Sequence, residues 1–527
     1  MTSVIVVGSG AAGLAAALSA RESGAEVTVV EATSTIGGTT ALSSGAAWLP
    51  NNHLPLAAED TPERARTYLS ALGRSDEHAY GFGFGIGYDH GHGNEYRHAS
   101  ADTAMSDRFV DEAPRVAEWL ETKTPLRWAT LPVPDCHGTL PGGYDAGRSL
   151  EPRPFRTTPR VAALVRAALP WRPRATLTEL LTGGAAPDLI EQRRQAGTGT
   201  AGQALVAALL TAAVDAGVTI RTHARATRFL GTGVAVDGTP LAGRVVLATG
   251  GFERDEALVR RFLGGPIAGL TGAPGARGDG LRMAVAAGAA LHNTAQAWWC
   301  PTIRIPGDAI EGEPVHRILL AERARPGAVL VDCDGHRFIN EARSYHEVGR
   351  TLHPTEPSWL IVDAAHRRRY PIGPVRPDDP DPDWLQRACT LPELARLIDV
   401  PGDALAETVS RFNWAAAAGE DPDFDRGTNP YDGVMGDPGA VHPTLGPLYT
   451  PPFYAVPVRP GLGGTSGGPH TDPDGRVLRD DGTAVPGLYA AGNVAAGAFG
   501  SAYPGTGATI GQALVFGAQA GRAAAGD

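Results

Sequence analysis

The chain has 527 residues, 43% hydrophobic and 20% charged, which suffices for two or three packed domains and argues against broad disorder. Its formal charge of −11 excludes the basic face that a nucleic-acid partner needs. No apolar run approaches the roughly 20 residues of a membrane span, and four scattered cysteines (Cys136, Cys300, Cys333, Cys389) without a CxxC pair point to neither a disulfide framework nor a zinc site, so a cytoplasmic protein is expected.

The first element is the β-branched run "SVIVV" at 3–7, a buried parallel strand; no basic stretch precedes it, so it does not read as a signal peptide. Gly8, Ser9, Gly10, Ala11, Ala12 and Gly13 follow, with glycines spaced Gly-x-Gly-x-x-Gly. An alanine-rich helix then stops at Gly24, and a second strand, "EVTVVEA", carries Glu31. Strand, glycine turn, helix and strand within ~30 residues form the βαβ unit of a dinucleotide site. Gly8 permits the tight turn, Gly10 lets backbone approach a pyrophosphate, and Gly13 lets the helix pack close to the strand. The helix N-terminus offers N–H groups to phosphate. The Glu31 carboxylate suits ribose hydroxyls and repels a 2′-phosphate.

The segment 32–50, "ATSTIGGTTALSSGAAWLP", holds Gly38, Thr39, Thr40, Ser43, Ser44 and Gly45. At 78–100 comes "HAYGFGFGIGYDHGHGNEYRHAS". His90, His92 and His98 with Asp89 and Glu95 invite a metal reading, but the glycines and the absence of zinc spacing favour an aromatic, glycine-hinged lid. The apolar segment 201–215 reads as a core helix too short to span a bilayer. A strand at 243–251, "GRVVLATGG", carries Thr249 and Gly250. Residues 300–455 are richer in Pro, Arg and Trp and read as an inserted domain. The chain closes with a strand, "GLYAAGN", containing Gly492 and Asn493, and with "SAYPGTGATIG" running into a helical tail.

The 32–50 stretch resembles the region where flavoproteins of the fumarate reductase/succinate dehydrogenase flavoprotein superfamily wrap FAD. "LATGG" and "GLYAAGN" resemble the two other FAD-contacting segments, so FAD is the expected cofactor. Within that superfamily "SAYPGTGATIGQALVFG" is most similar to the 3-ketosteroid Δ1-dehydrogenases. "AWWCPTI" (297–303), "HRFINEARSYHEVGR" (336–350), "SWLIVDAAHRRRYP" (358–371) and "PFYAVPVRPGLGGTSGG" (452–468) extend the likeness.

The resemblance implies an α/β fold: a Rossmann-like FAD-binding domain (1–300 and 456–527, with an insertion near 78–100) around an α+β substrate domain (301–455). It adds Ala226, Asp279, Ala508, Thr509 and Ile510 to the cofactor residues. It also implies a reaction. Tyr503 and the Gly507 N–H, expected to be free at the start of the last helix, donate to a ketone oxygen. Tyr345 takes the proton from carbon 2, and flavin takes the hydride from carbon 1.

A phenol with an ordinary pKa near 10 needs help as a base. The family supplies it with a third tyrosine ahead of a Pro-Gly-Gly turn. Here the turn is "LPGGYDAGRSLEP" but the preceding stretch is "VPDCHGT", with Cys136 or His137 in that place. His137 is the candidate relay, and Tyr144 lies just past the turn.

Competing readings are a fumarate- or urocanate-type reductase using Arg343 and Arg350, which flank Tyr345, a ketosteroid Δ4-dehydrogenase, and a flavin carrier without turnover. Trp298 and Trp299 favour a hydrophobic ketone as substrate. The electron acceptor is not readable from the residues.

Overall fold

A computed structural model of the protein describes residues 2–80, 103–352 and 356–526. The stretch 81–102, and with it the lid and metal readings, lies outside the described residues. The chain forms two compact units: residues 1–264, 272–298 and 464–527, and residues 265–271 with 299–463. The strand Phe453–Thr465 runs unbroken through residue 455.

The first unit is built on a six-stranded sheet. Its order is Arg476–Leu478, Ala484–Ala490, Arg244–Leu247, Ser3–Val7, Glu26–Val30, Thr219–Arg221. All neighbours are parallel except the first pair. Val4, Ile5, Val6 and Val7 are buried on both faces, as a central parallel strand requires.

The helix Ala11–Glu22 covers one face and lies against the last helix, Ala508–Gly526. Glycine makes this contact possible. A Cβ on Gly517 would sit 2.4 Å from the Ala12 carbonyl oxygen, and one on Gly521 would sit 2.1 Å from that of Ala16. The helix Ala201–Asp215 is buried along most of its length, as its apolar sequence predicts.

The second unit carries a sheet in which Ala328–Val331, Ser358–Asp363 and Phe453–Thr465 pair antiparallel. Period-two alternation splits its side chains between two cores. Leu330, Leu360 and Val456 enter one; Val329, Ile361 and Ala455 enter the other with Leu405 and Phe412. Among the described residues no helix is long and apolar enough to cross a membrane.

Candidate active site

The glycine turn sits where the sequence puts it, between the strand Ser3–Val7 and the first helix. Gly8 has φ +104°, which favours glycine, and a Cβ there would lie 2.3 Å from the Ala248 carbonyl oxygen. A Cβ on Gly13 would lie 2.0 Å from the Gly8 oxygen. These two glycines hold backbone against backbone. Gly10 differs: the nearest atom to its Cβ position is Thr40 Oγ1 at 3.5 Å. Glu31 directly follows the second strand and is 9% exposed. Its Oε2 accepts from Ser9 Oγ at 2.6 Å, and its Oε1 accepts from the Thr33 N–H and Oγ1, each at 2.9 Å. A carboxylate has about four acceptor sites, so room for a ribose hydroxyl remains.

The 32–50 segment folds over this turn. Thr40 Oγ1 accepts from the Ala11 N–H at the helix start, 3.1 Å away. Thr39 Oγ1 accepts from the Ala273 N–H. Ser43 Oγ donates to the Thr40 carbonyl and accepts from the Gly45 N–H; Ser44 Oγ accepts from the Ala46 N–H. Gly45 is closed in by Ala201 and Gly202 backbone, whereas Gly38 has nothing within 4 Å of its Cβ position.

The third and fourth segments reach the same turn. Thr249 and Gly250 leave the strand Arg244–Leu247, and the Cβ position of Gly250 meets nothing closer than Ala276 at 3.8 Å. Ala226 opens the strand Ala226–Phe229 and is buried; Asp279 starts a helix and pairs with Arg225. The Gly492 Cβ position falls 2.9 Å from Ala12 Cβ. Asn493 Oδ1 accepts from Trp298 Nε1 at 3.0 Å. The last helix brings Ala508, Thr509 and Ile510.

FAD fits these residues. Gly10, Gly38 and Gly250 leave open the space a side chain would fill, and the buried Thr249 Oγ1 has no hydrogen-bond partner among the described residues. Acceptors for ribose and helix N–H groups for phosphate stand beside one turn.

Tyr503 is 2% exposed and stands edge-on to Trp298, ring centroids 5.7 Å apart. Trp298 in turn holds Asn493, so the phenol is tied to the cofactor segments through one indole. The Gly507 N–H is not free, in contrast to the expectation from sequence: it donates to Tyr503 Oη at 3.3 Å. The reason is local. Gly507 has φ +96° with its Cα pressed on the Ala46–Ala47 backbone, which turns its N–H back over the loop toward Tyr503. Both expected donors therefore stand at one point.

Three residues fix this loop, of which sequence reasoning missed one, Tyr68. Tyr68, fully buried on the helix Pro62–Tyr80, donates to the Pro504 carbonyl at 2.6 Å. Burial holds its phenol well above the usual range, so it stays a donor. The Cys136 N–H donates to the same oxygen at 3.0 Å, and the His137 N–H donates to Tyr68 Oη at 3.3 Å. The Cys136–His137 stretch is thus brought to the Tyr503 loop through its backbone.

Below it, Trp48 Nε1 donates to Asp135 Oδ1 and Arg148 pairs with Asp135 and Asp60. Burial, opposed by Arg148, pushes the Asp135 carboxyl up to about 6. Tyr144 points its hydroxyl to the Leu56 carbonyl.

Tyr68→Phe is expected to lower turnover by about fivefold with flavin content unchanged, because one hydrogen bond of about 1 kcal/mol to the loop is lost. Steady-state rates and the flavin-to-protein absorbance ratio check this; an unchanged rate contradicts it.

Tyr345 belongs to the second unit, as the first residue of the helix Tyr345–Thr351. Of the two arginines that flank it, the half-buried Arg350 pairs with the buried Glu347 at 2.9 Å, and Arg343 is exposed.

The family described as "FAD binding domain" matches residues 3–510. The chain is 36% identical to the 4-oxocyclohexanecarboxylate 2-dehydrogenase of Sinomonas cyclohexanicum, over 99% of this chain and 92% of that one. It is 34% identical to a 3-oxosteroid 1-dehydrogenase of Mycobacterium tuberculosis, over 98% and 96%. The crystal structure of the 3-ketosteroid Δ1-dehydrogenase from Sterolibacterium denitrificans, in complex with 1,4-androstadiene-3,17-dione, superposes with a TM-score of 0.87 at 31% identity, covering all of both chains. With an FAD-binding match across nearly its whole length and dehydrogenase relatives above 30% identity, the chain belongs to the FAD-dependent dehydrogenase family of the 3-oxosteroid 1-dehydrogenases, whose members act on CH–CH groups.

Proposed function

We propose that this FAD-dependent dehydrogenase desaturates a six-membered-ring ketone between the α and β carbons, with a 3-ketosteroid desaturated at carbons 1 and 2 as the leading substrate. The observation that carries the reading is the Tyr503 hydroxyl standing 3.3 Å from the Gly507 N–H on a buried loop. A ketone oxygen placed at that point receives both donors without any charged partner. Loss of an α proton then leaves an enolate whose charge those donors stabilise. The Trp298 ring excludes water from one edge of Tyr503. The base in this reading is Tyr345. Bound FAD supplies the hydride acceptor for the β carbon. The carboxylate-reducing alternative finds less support, because the Arg350 guanidinium is engaged by Glu347.

A second, smaller substrate is favoured by one observation. The position where the ketosteroid enzymes carry a tyrosine is filled by Cys136 and His137, and one relative named above acts on the monocyclic 4-oxocyclohexanecarboxylate.

The test is anaerobic mixing of the yellow holoenzyme with androst-4-ene-3,17-dione and, separately, with 4-oxocyclohexanecarboxylate, followed by product mass. Bleaching with loss of two hydrogens from the ketone is expected, and the faster ketone sets the substrate class. Firmly bound FAD that neither ketone bleaches overturns the proposal.

A further inference from the structure

Glu253 follows the Thr249–Gly250 segment and is 3% exposed. Its Oε2 has no hydrogen-bond partner among the described residues. It is enclosed by backbone that leaves no room for larger residues. A Cβ on Gly251 would lie 2.5 Å from Oε2 and 2.1 Å from Thr465 Oγ1. On its other side, the Gly272 Cβ position is 3.1 Å from both Glu253 Oε1 and Thr39 Oγ1. The carboxyl therefore shares a wall with Thr39, one of the residues placed around the flavin, and lies shortly after Thr249 and Gly250 in the chain.

The charged side chains on the segments around it are Arg254, Asp255 and Arg277. Asp255 is paired with Arg282, and only Arg254, which donates to the Gly272 carbonyl, bears on the Glu253 charge. Burial pushes the carboxyl up to about 7, against hydrogen bonds from backbone N–H groups that include that of Thr465. An acid that surrounds itself with glycine backbone and, among the described residues, keeps one oxygen unsatisfied and forms no ion pair is costly to retain for packing alone.

We propose that Glu253 is a proton store in the wall of the flavin cradle: it takes one proton from solvent when the flavin is reduced and returns it on reoxidation. The balance is simple. A hydride from the ketone, or two electrons from dithionite with one proton from water, leaves the flavin with one added negative charge. That charge raises the proton affinity of a nearby carboxylate, which binds a proton from water and cancels it. The inference rests on FAD as the cofactor and is independent of which ketone is oxidised.

The experiment is an anaerobic spectroelectrochemical titration of holoenzyme and of the Glu253→Gln variant from about pH 6 to about pH 9. Glutamine mimics the protonated acid and cannot titrate. The wild-type midpoint is expected to fall more steeply above neutral pH, by one extra proton per two electrons, and the two curves to converge at the acid end. Parallel curves overturn the proposal. Where the variant fails to fold or to hold flavin, the wild type decides: its reduction-induced infrared difference spectrum above neutral pH gains a protonated-carboxyl band, and absence of that band overturns the proposal.

Discussion

Tyr503→Phe is expected to reduce kcat by about a hundredfold or more while flavin content and thermal stability stay near wild type. The substitution removes one oxygen and leaves the ring. The edge-on contact with Trp298 and the packing of the loop on Trp48 survive, so FAD has no reason to leave. What is lost is the stronger of two donors at the point where an enolate oxygen would form. Because that donor matters most when the oxygen carries charge, kcat falls more than the KM for the ketone rises. Steady-state kinetics with whichever ketone bleaches the flavin provide the measurement. A near-normal kcat removes Tyr503 from the reaction.

Gly13→Val is expected to abolish flavin binding and to destabilise the first unit by about 2–5 kcal/mol. A Cβ at Gly13 meets the Gly8 oxygen at 2.0 Å, the Gly8 carbon at 2.9 Å and the Ala248 side chain at 3.4 Å. The first two are backbone atoms of the turn itself, so the helix must move outward and carry its N-terminus away from the phosphates. Gly24→Ala is the control. Nothing lies within 4 Å of its Cβ position, and its φ of +89° costs only about 1 kcal/mol. That variant keeps its flavin. The absorbance of the purified proteins and their melting temperatures distinguish the two, and a yellow Gly13→Val protein contradicts the close-packing role.

The nucleotide-binding half of this fold is legible because backbone geometry writes itself into glycine. Gly8 and Gly13 stand where no other residue fits, and their spacing is visible without a structure. The same directness locates the Tyr503 loop, since few sequences place a phenol ahead of a glycine turn and a helix.

Tyr68 is invisible by comparison. It sits in "ERARTYLSALGR" as an ordinary apolar position of an amphipathic helix, and its partner Pro504 lies 436 residues away. Glu253 misleads for a related reason. In "GGFERD" it is surrounded by charge and reads as surface, and only the approach of Gly272 and Thr465 buries it. The end of the inserted unit near residue 463 is hidden because a strand, not a loop, crosses it. The direction of the Gly507 N–H depends on a positive φ, which glycine permits but does not announce.

The contact between the first and last helices sets an order of events during synthesis. Ala12 and Ala16 are made long before Gly517 and Gly521, whose backbone they pack on. The parallel strand Ala484–Ala490 is equally late, although it borders Arg244–Leu247, itself the neighbour of the first strand. The fingerprint turn can form early, but its enclosure waits for the tail, and such pairings between distant parts of a chain form slowly. Cofactor loading is thus placed after synthesis of the helix Ala508–Gly526, and a ribosome stalled before that helix would display a colourless nascent chain.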